Sequence, residues 1–180
     1  MSEQESECQS RIRVLLPVNR SIVTARNAMT FRCIAISTDE ALRLRHAVTD
    51  DFGHTVQRFE LDRTYPCRHC LRKASGKSGM LLLSYQTPRP KSVYGQSIFL
   101  CAADCARFNE PETIPDIVRN RLVSFRAFRA NGMMIYDANE IVEGDGQDLA
   151  VRRIFSRDDV AYINAHTAKA GCLLCHIDRT

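Results

Sequence analysis

Six of the eight cysteines in this 180-residue chain fall in close pairs: Cys67 with Cys70, Cys101 with Cys105, and Cys172 with Cys175. The first pair follows Pro66 as Cys67-Arg68-His69-Cys70, so it sits in a loop or tight turn, where a Cys-x-x-Cys can wrap one metal ion. Cys101 and Cys105 share a face if the residues between them are helical. Together the two pairs offer four thiolates, Cys67, Cys70, Cys101 and Cys105, to a tetrahedral Zn²⁺. The 30 residues between Cys70 and Cys101 exceed the spacing of common small zinc modules. The competing account is that these cysteines are buried small hydrophobes. Sulfur–sulfur distances decide between them, since Zn–S bonds near 2.3 Å require the four sulfurs within about 4 Å of one another.

The third pair points to different chemistry. On a regular strand over 172–177, Cys172 and Cys175 face opposite sides and Cys172 shares a side with His176. A hairpin whose loop is 167–171 brings His166 opposite Cys172, and a histidine beside a cysteine is the minimal thiolate-activating pair. This gives the alternative to a metal protein: an enzyme with Cys172 or Cys67 as nucleophile, His166 as base and Arg126 as anchor for a small anionic substrate. A buried cysteine and a hydrogen-bonded histidine in a hairpin account for the same residues.

Other candidates fail on pattern. Gly76-Lys77-Ser78 lacks the phosphate-loop glycine five residues before Gly76, where Leu71 stands, and has no following helix. It reads as a polar turn. The acidic run from Asp137 to Asp148 does not fit a calcium loop. Arg119, Arg121, Arg126 and Arg129 do not fall on one face, so a nucleic-acid surface is not expected.

These side chains need elements to hold them. Phe31–Ile36 has a strand pattern, and Ser37-Thr38-Asp39-Glu40 is a capping box opening a helix with Ala41, Leu44 and Val48 on one face. Strands are expected over His54–Leu61, Met80–Tyr85 and Ser97–Cys101, and short helical turns over Cys101–Phe108 and Pro115–Leu122. Asn131-Gly132 is a hairpin signal between Leu122–Arg129 and Met133–Ala138. A helix over Gln147–Ser156 should bury Leu149, Val151, Ile154 and Phe155. A second hairpin joins Val160–Thr167 to Cys172–Ile177. Few helices and mostly hairpin connections predict an α+β fold with a mainly antiparallel sheet, in a single domain over residues 29–180. Residues 1–28, with three glutamates before four arginines and no sustained period, read as a flexible extension, with Met29 as an alternative start.

Bulk properties narrow the class. Hydrophobic content of 44% and charged content of 26% are those of an ordinary soluble globular protein. A net charge of +4 does not single out a polyanion partner. No apolar run reaches the roughly 18 residues of a membrane span, and the acidic N-terminus is unlike a secretory signal. The expectation is a cytoplasmic protein with reduced thiols, whose partner is a small molecule or another protein.

Several stretches in order carry a family resemblance: Tyr65-Pro66-Cys67-Arg68, Met80–Tyr85, Ser97–Leu100, Arg121–Phe128, Gly132-Met133-Met134, Asp137-Ala138, Val160–Tyr162, His166-Thr167-Ala168, Gly171-Cys172 and Asp178-Arg179. The chain resembles, over roughly residues 30–180, the bacterial family catalogued as domain of unknown function 1203. The resemblance implies a small soluble bacterial protein and supplies no activity. It implies that Cys67, His166 and Cys172 belong to the family pattern, while Cys70, Cys101, Cys105 and Cys175 are additions.

Overall fold

Apolar side chains alternate along most strands of this protein, so each sheet has one face to bury. The structure is a computed structural model that describes residues 30–60, 62–87, 93–119 and 121–180. The expected extension over 1–28 and the alternative start lie outside the described residues.

Five strands form the larger sheet: β1 (Phe31–Ile34), β7 (Val123–Phe128), β8 (Glu140–Val142), β9 (Tyr162–Thr167) and β10 (Leu173–Arg179). Their order is β1-β10-β9-β7-β8, with antiparallel neighbours throughout. Cys33, Phe125, Ala127, Ile163, Ala165 and Ile177 share one core with helix α2 (Gln147–Phe155) and with Ile114, Ile117 and Val118. The helix contributes Ala150, Val151, Ile154 and Phe155, a stripe at helical spacing. Leu149, expected inside, falls on the opposite side of that stripe and is exposed.

The smaller sheet contains β2 (Gln57–Phe59), β5 (Met80–Tyr85) and β6 (Gln96–Cys101), in the order β2-β5-β6. Leu81, Leu83, Ile98 and Leu100 form a second core with Leu44 of α1 (Thr38–His46), and Leu173 at the start of β10 joins it. Ser37 caps α1 by accepting from the Glu40 N–H at 3.2 Å, as the capping box predicts. The helix stops at His46, so Val48 is exposed and the buried face is Ala41, Leu44 and Arg45. Arg58 supports that end by donating to the carbonyls of Arg45 and Ala47. Strands β3 (Thr64–Pro66) and β4 (Lys73–Ser75) make a separate hairpin.

The mainly antiparallel α+β architecture agrees with the sequence reading. Four local expectations differ. Residues 102–108 are irregular, and the Pro115 segment makes only hydrogen-bonded turns, not a helix. In place of the expected strand over Met133–Ala138 there is one bridge from Met134 to Phe128 and a 3-10 turn over Tyr136–Ala138. The fourth lies in β10, where Leu173 pairs with His166 and Cys175 with Ala165, leaving Leu174 as an extra residue. This bulge puts Leu174 and the adjacent Cys175 in the same core, which a regular strand forbids. The hairpin turn is one residue shorter than expected, with the Thr167 N–H donating to the Cys172 carbonyl, so His166 stands opposite Leu173 and not opposite Cys172.

Candidate metal centre

The β3–β4 hairpin has Cys67–Arg72 as its turn, and that turn is the Cys-x-x-Cys itself. The Cys67 N–H donates to the Arg72 carbonyl at 3.0 Å and closes it. Leu71, directly after the second cysteine, has φ of 49°, a left-handed conformation that L residues seldom adopt. Its side chain is buried, and that packing holds the backbone there.

β6 has one edge free in its sheet, and the hairpin turn docks on it. The Arg68 N–H donates to the Phe99 carbonyl at 3.0 Å, and the Cys101 N–H faces Cys67 Sγ at 3.4 Å. After Cys101 the chain bends beside Gly79, where the Ala102 N–H donates to the Gly79 carbonyl at 3.0 Å. Gly79 has φ of 79°, and a Cβ there would lie 3.1 Å from the Ala102 Cβ, so only glycine fits without displacement. The bend returns Cys105 to the turn. The sulfur atoms of Cys67, Cys70, Cys101 and Cys105 all lie within 4.8 Å of one another, somewhat wider than the about 4 Å of a closed Zn–thiolate tetrahedron. The Cys67 and Cys105 sulfurs are 3.9 Å apart, close to the edge of a Zn–thiolate tetrahedron. No helix is needed to bring Cys101 and Cys105 together, since a bend does it.

Around the sulfurs stand donors. Arg45 Nη2 donates to Cys105 Sγ at 3.3 Å, and its other atoms donate to the Cys101 carbonyl and to Asp104. His69 Nδ1 is 3.2 Å from Cys105 Sγ and its Nε2 is 3.2 Å from Thr38 Oγ1. With Nδ1–H donating to sulfur and Nε2 accepting from the hydroxyl, both contacts are satisfied by a neutral ring. Burial, reinforced by the Arg45 charge, holds the His69 pKa below its ordinary value. The thiols titrate as a group. Hydrogen bonds from Cys101, Cys105 and Cys70 hold Cys67 far below the usual thiol range, and Cys70 is drawn down to about 7 by Cys101 and Cys105. The hydrogen bonds that Cys101 makes with Cys105, Cys67 and Cys70 push it up. A cation bound among the sulfurs would let all four ionise.

A sequence model of a family described as "Protein of unknown function (DUF1203)" matches residues 64–179, well over half of the chain. The chain belongs to the DUF1203 family. Within that span lie all four clustered cysteines, while β1, α1 with Arg45, and β2 precede it. Searches of curated proteins and of solved structures returned no match.

The remaining sequence candidates are placed apart from the cluster. His166 is fully buried on β9, where its Nδ1 faces the Gly171 carbonyl at 2.9 Å and its Nε2 has no hydrogen-bond partner. Neither nitrogen bonds a cysteine. Burial first, then the charges of Arg126 and Arg68, hold its pKa down to about 4. Arg126 sits beside the β9–β10 turn, where a Cβ on Gly171 would be 3.8 Å from its Nη2. Cys172 is half-buried next to that turn, with its N–H donating to Thr167 Oγ1 at 3.1 Å. Cys175 enters the apolar core and hydrogen-bonds with Cys33, whose thiol pKa is pushed up by that bond and by burial. The sequence reading missed Arg45 and the burial of Arg68. Arg45 left a signal, since it stands at helical spacing from Ala41 on the apolar face of α1.

Proposed function

We propose that Cys67, Cys70, Cys101 and Cys105 hold one structural Zn²⁺, which pins the β3–β4 turn to the end of β6 in a small metal-binding protein. The observation that carries this reading is the convergence of four sulfurs within 4.8 Å from a hairpin turn, a strand end and a bend. Drawing them onto one ion needs movements of about 1 Å or less, given a Zn–S bond near 2.3 Å.

The ion is structural because four protein ligands leave no position for water or substrate. The donors around the site support the same role. Four thiolates on Zn²⁺ carry a net charge of −2, and the buried Arg45 guanidinium offsets half of it. N–H donors on Cys105 and Cys67 spread thiolate charge and lower sulfur nucleophilicity.

The test is elemental analysis of protein purified under reducing conditions without added metal. One equivalent of zinc is expected, falling below about half an equivalent in Cys105→Ser. Less than half an equivalent in the unaltered protein removes the proposal. Iron in place of zinc would keep the four-thiolate site and overturn the ion assignment.

A further inference from the structure

A cavity of about 560 Å³ opens between β1, the first turn of α1, the end of β5 and the start of β10. Ile34, Ile36, Leu173 and Leu174 make its walls largely apolar. That is the size and character of a site for a small organic molecule, in which a few polar atoms select the occupant.

The polar groups on those walls are not equivalent. Arg68 turns its guanidinium onto the Leu173 and Pro66 carbonyls, and its remaining Nη2 is enclosed by protein, so it gives the cavity no donor. His176 spends both ring nitrogens, one on Asn164 Oδ1 at 2.9 Å and one on Asp178 Oδ1 at 2.7 Å. Tyr85 is different. It is 4% exposed, and its ring belongs to the smaller sheet's core. Its hydroxyl has no hydrogen-bond partner among the described residues, yet it is not one of the unpartnered atoms sealed inside the protein. The small part of Tyr85 left accessible therefore includes the hydroxyl, and it faces the cavity that Tyr85 lines. Water can serve that oxygen, but the apolar walls around it gain nothing from water. A molecule with an apolar body and one polar atom satisfies both.

Charge narrows the class of that molecule. Asp39 and Glu40 line the cavity and oppose Arg43 and Arg107, so these four side chains select neither sign. Arg43 pairs with Glu40 and Asp51, and Arg107 donates to the carbonyls of Ala35 and Ile36. Burial first, then the Glu40 and Asp51 carboxylates, push the Tyr85 phenol pKa up against the opposing charge of Arg43, so the hydroxyl keeps its proton. The same two carboxylates disfavour an anionic group at that oxygen. A neutral acceptor meets no such repulsion.

We propose that this cavity binds a small neutral organic molecule, an apolar body carrying one hydroxyl or carbonyl oxygen, with that oxygen on the Tyr85 hydroxyl and the body against Ile34, Ile36 and Leu174. The site stands independently of the metal reading.

Equilibrium dialysis of the full-length protein at neutral pH tests this with 2-naphthol, 2-methylnaphthalene and 2-naphthoate, which share one apolar body. 2-Naphthol should bind, and 2-naphthoate should bind more weakly. Tyr85→Phe removes only the hydroxyl. It should weaken 2-naphthol roughly three- to tenfold, the worth of one hydrogen bond, and leave 2-methylnaphthalene unchanged. Ile36→Trp, which fills the cavity and leaves Tyr85 in place, should abolish binding of both. Absence of 2-naphthol binding overturns the proposal. So does a Tyr85→Phe variant that weakens the two probes equally, or weakens neither. Equal or tighter binding of 2-naphthoate overturns the neutral class and moves the anchor to Arg107. Unchanged binding in Ile36→Trp puts the probes elsewhere on the protein and overturns the site. Should Ile36→Trp fail to fold, the Tyr85→Phe comparison decides.

Discussion

At the scale of single residues, the sulfur cluster depends on a side chain that is not a ligand. Arg45 is buried in the interior, with only 6% of its side chain exposed, and touches the site through both Cys101 and Cys105. Its ion pair with Asp104 adds little, because Asp104 is largely in solvent. In the proposed Zn²⁺ site its value lies in the charge it brings to four thiolates in a medium that screens poorly. Arg45→Met keeps the length and apolar contacts of the side chain and removes that charge. Zinc affinity, measured by competition with a chelator of known strength, should fall roughly 10- to 100-fold, the range for losing a partner that supports metal ligands. Arg153→Met, which breaks an exposed pair with Glu140 far from the sulfurs, should leave affinity unchanged. Equal losses in the two variants would deny Arg45 its part in the site.

The elements show which parts of this arrangement can be read from sequence. Leu71 makes the point sharply. Its left-handed backbone costs on the order of 1 kcal/mol, which Leu71→Gly would relieve. Its side chain is almost fully buried in the larger core, and deleting a buried leucine costs about 2–5 kcal/mol. Packing outweighs strain, so Leu71→Gly should lower stability by about 1–4 kcal/mol in chemical denaturation. A gain in stability would mean that strain dominates the turn. Strand pattern, turn glycines and cysteine spacing made β5, β6, the β9–β10 hairpin and the four clustered cysteines legible. What escaped was settled by contacts distant in sequence. The extra residue Leu174 depends on which residues of β9 its neighbours meet, and it reverses the parity that set Cys172 and Cys175 on opposite sides; the Cys172–His166 pair failed separately, on a turn one residue shorter than expected. The early end of α1 depends on Arg58, 13 residues beyond Arg45, whose carbonyl it caps. The cavity of about 560 Å³ between β1, α1, β5 and β10 exists only because those elements meet, and no local pattern announces such a meeting.

Across the whole molecule, buried titratable groups shape the response to acid. His166, Arg126 and Arg68 lie close enough in the interior that both arginine charges act on the histidine. A protonated His166 would add a third cation to that region. Burial first, then these two charges, keep the ring neutral, with a pKa held down to about 4, while the unfolded chain has an ordinary histidine near 6.5. Between those values the unfolded chain binds a proton that the native state refuses. This contribution is fully present above about pH 6.5 and is lost progressively as pH falls toward 4. From pH 7 to pH 5 it amounts to about 2 kcal/mol. Asp50 acts in the same direction at lower pH. Burial pushes its carboxyl up, but N–H donors from Ser84, His54 and Phe52 more than offset this and leave its pKa lowered. Its stabilisation is present above about pH 3.9 and is lost as pH falls through the native value. Protonation of the four clustered cysteines, if they hold the proposed Zn²⁺, would also weaken the fold in acid, so the total slope identifies no single group. The difference between two proteins does. His166→Gln can keep a donor to Gly171 and cannot titrate, so between pH 7 and pH 5 it should lose about 2 kcal/mol less stability than the unaltered protein in urea denaturation. Parallel losses would show that His166 takes up its proton equally in both states, and that its burial beside the two arginines does not hold the ring neutral.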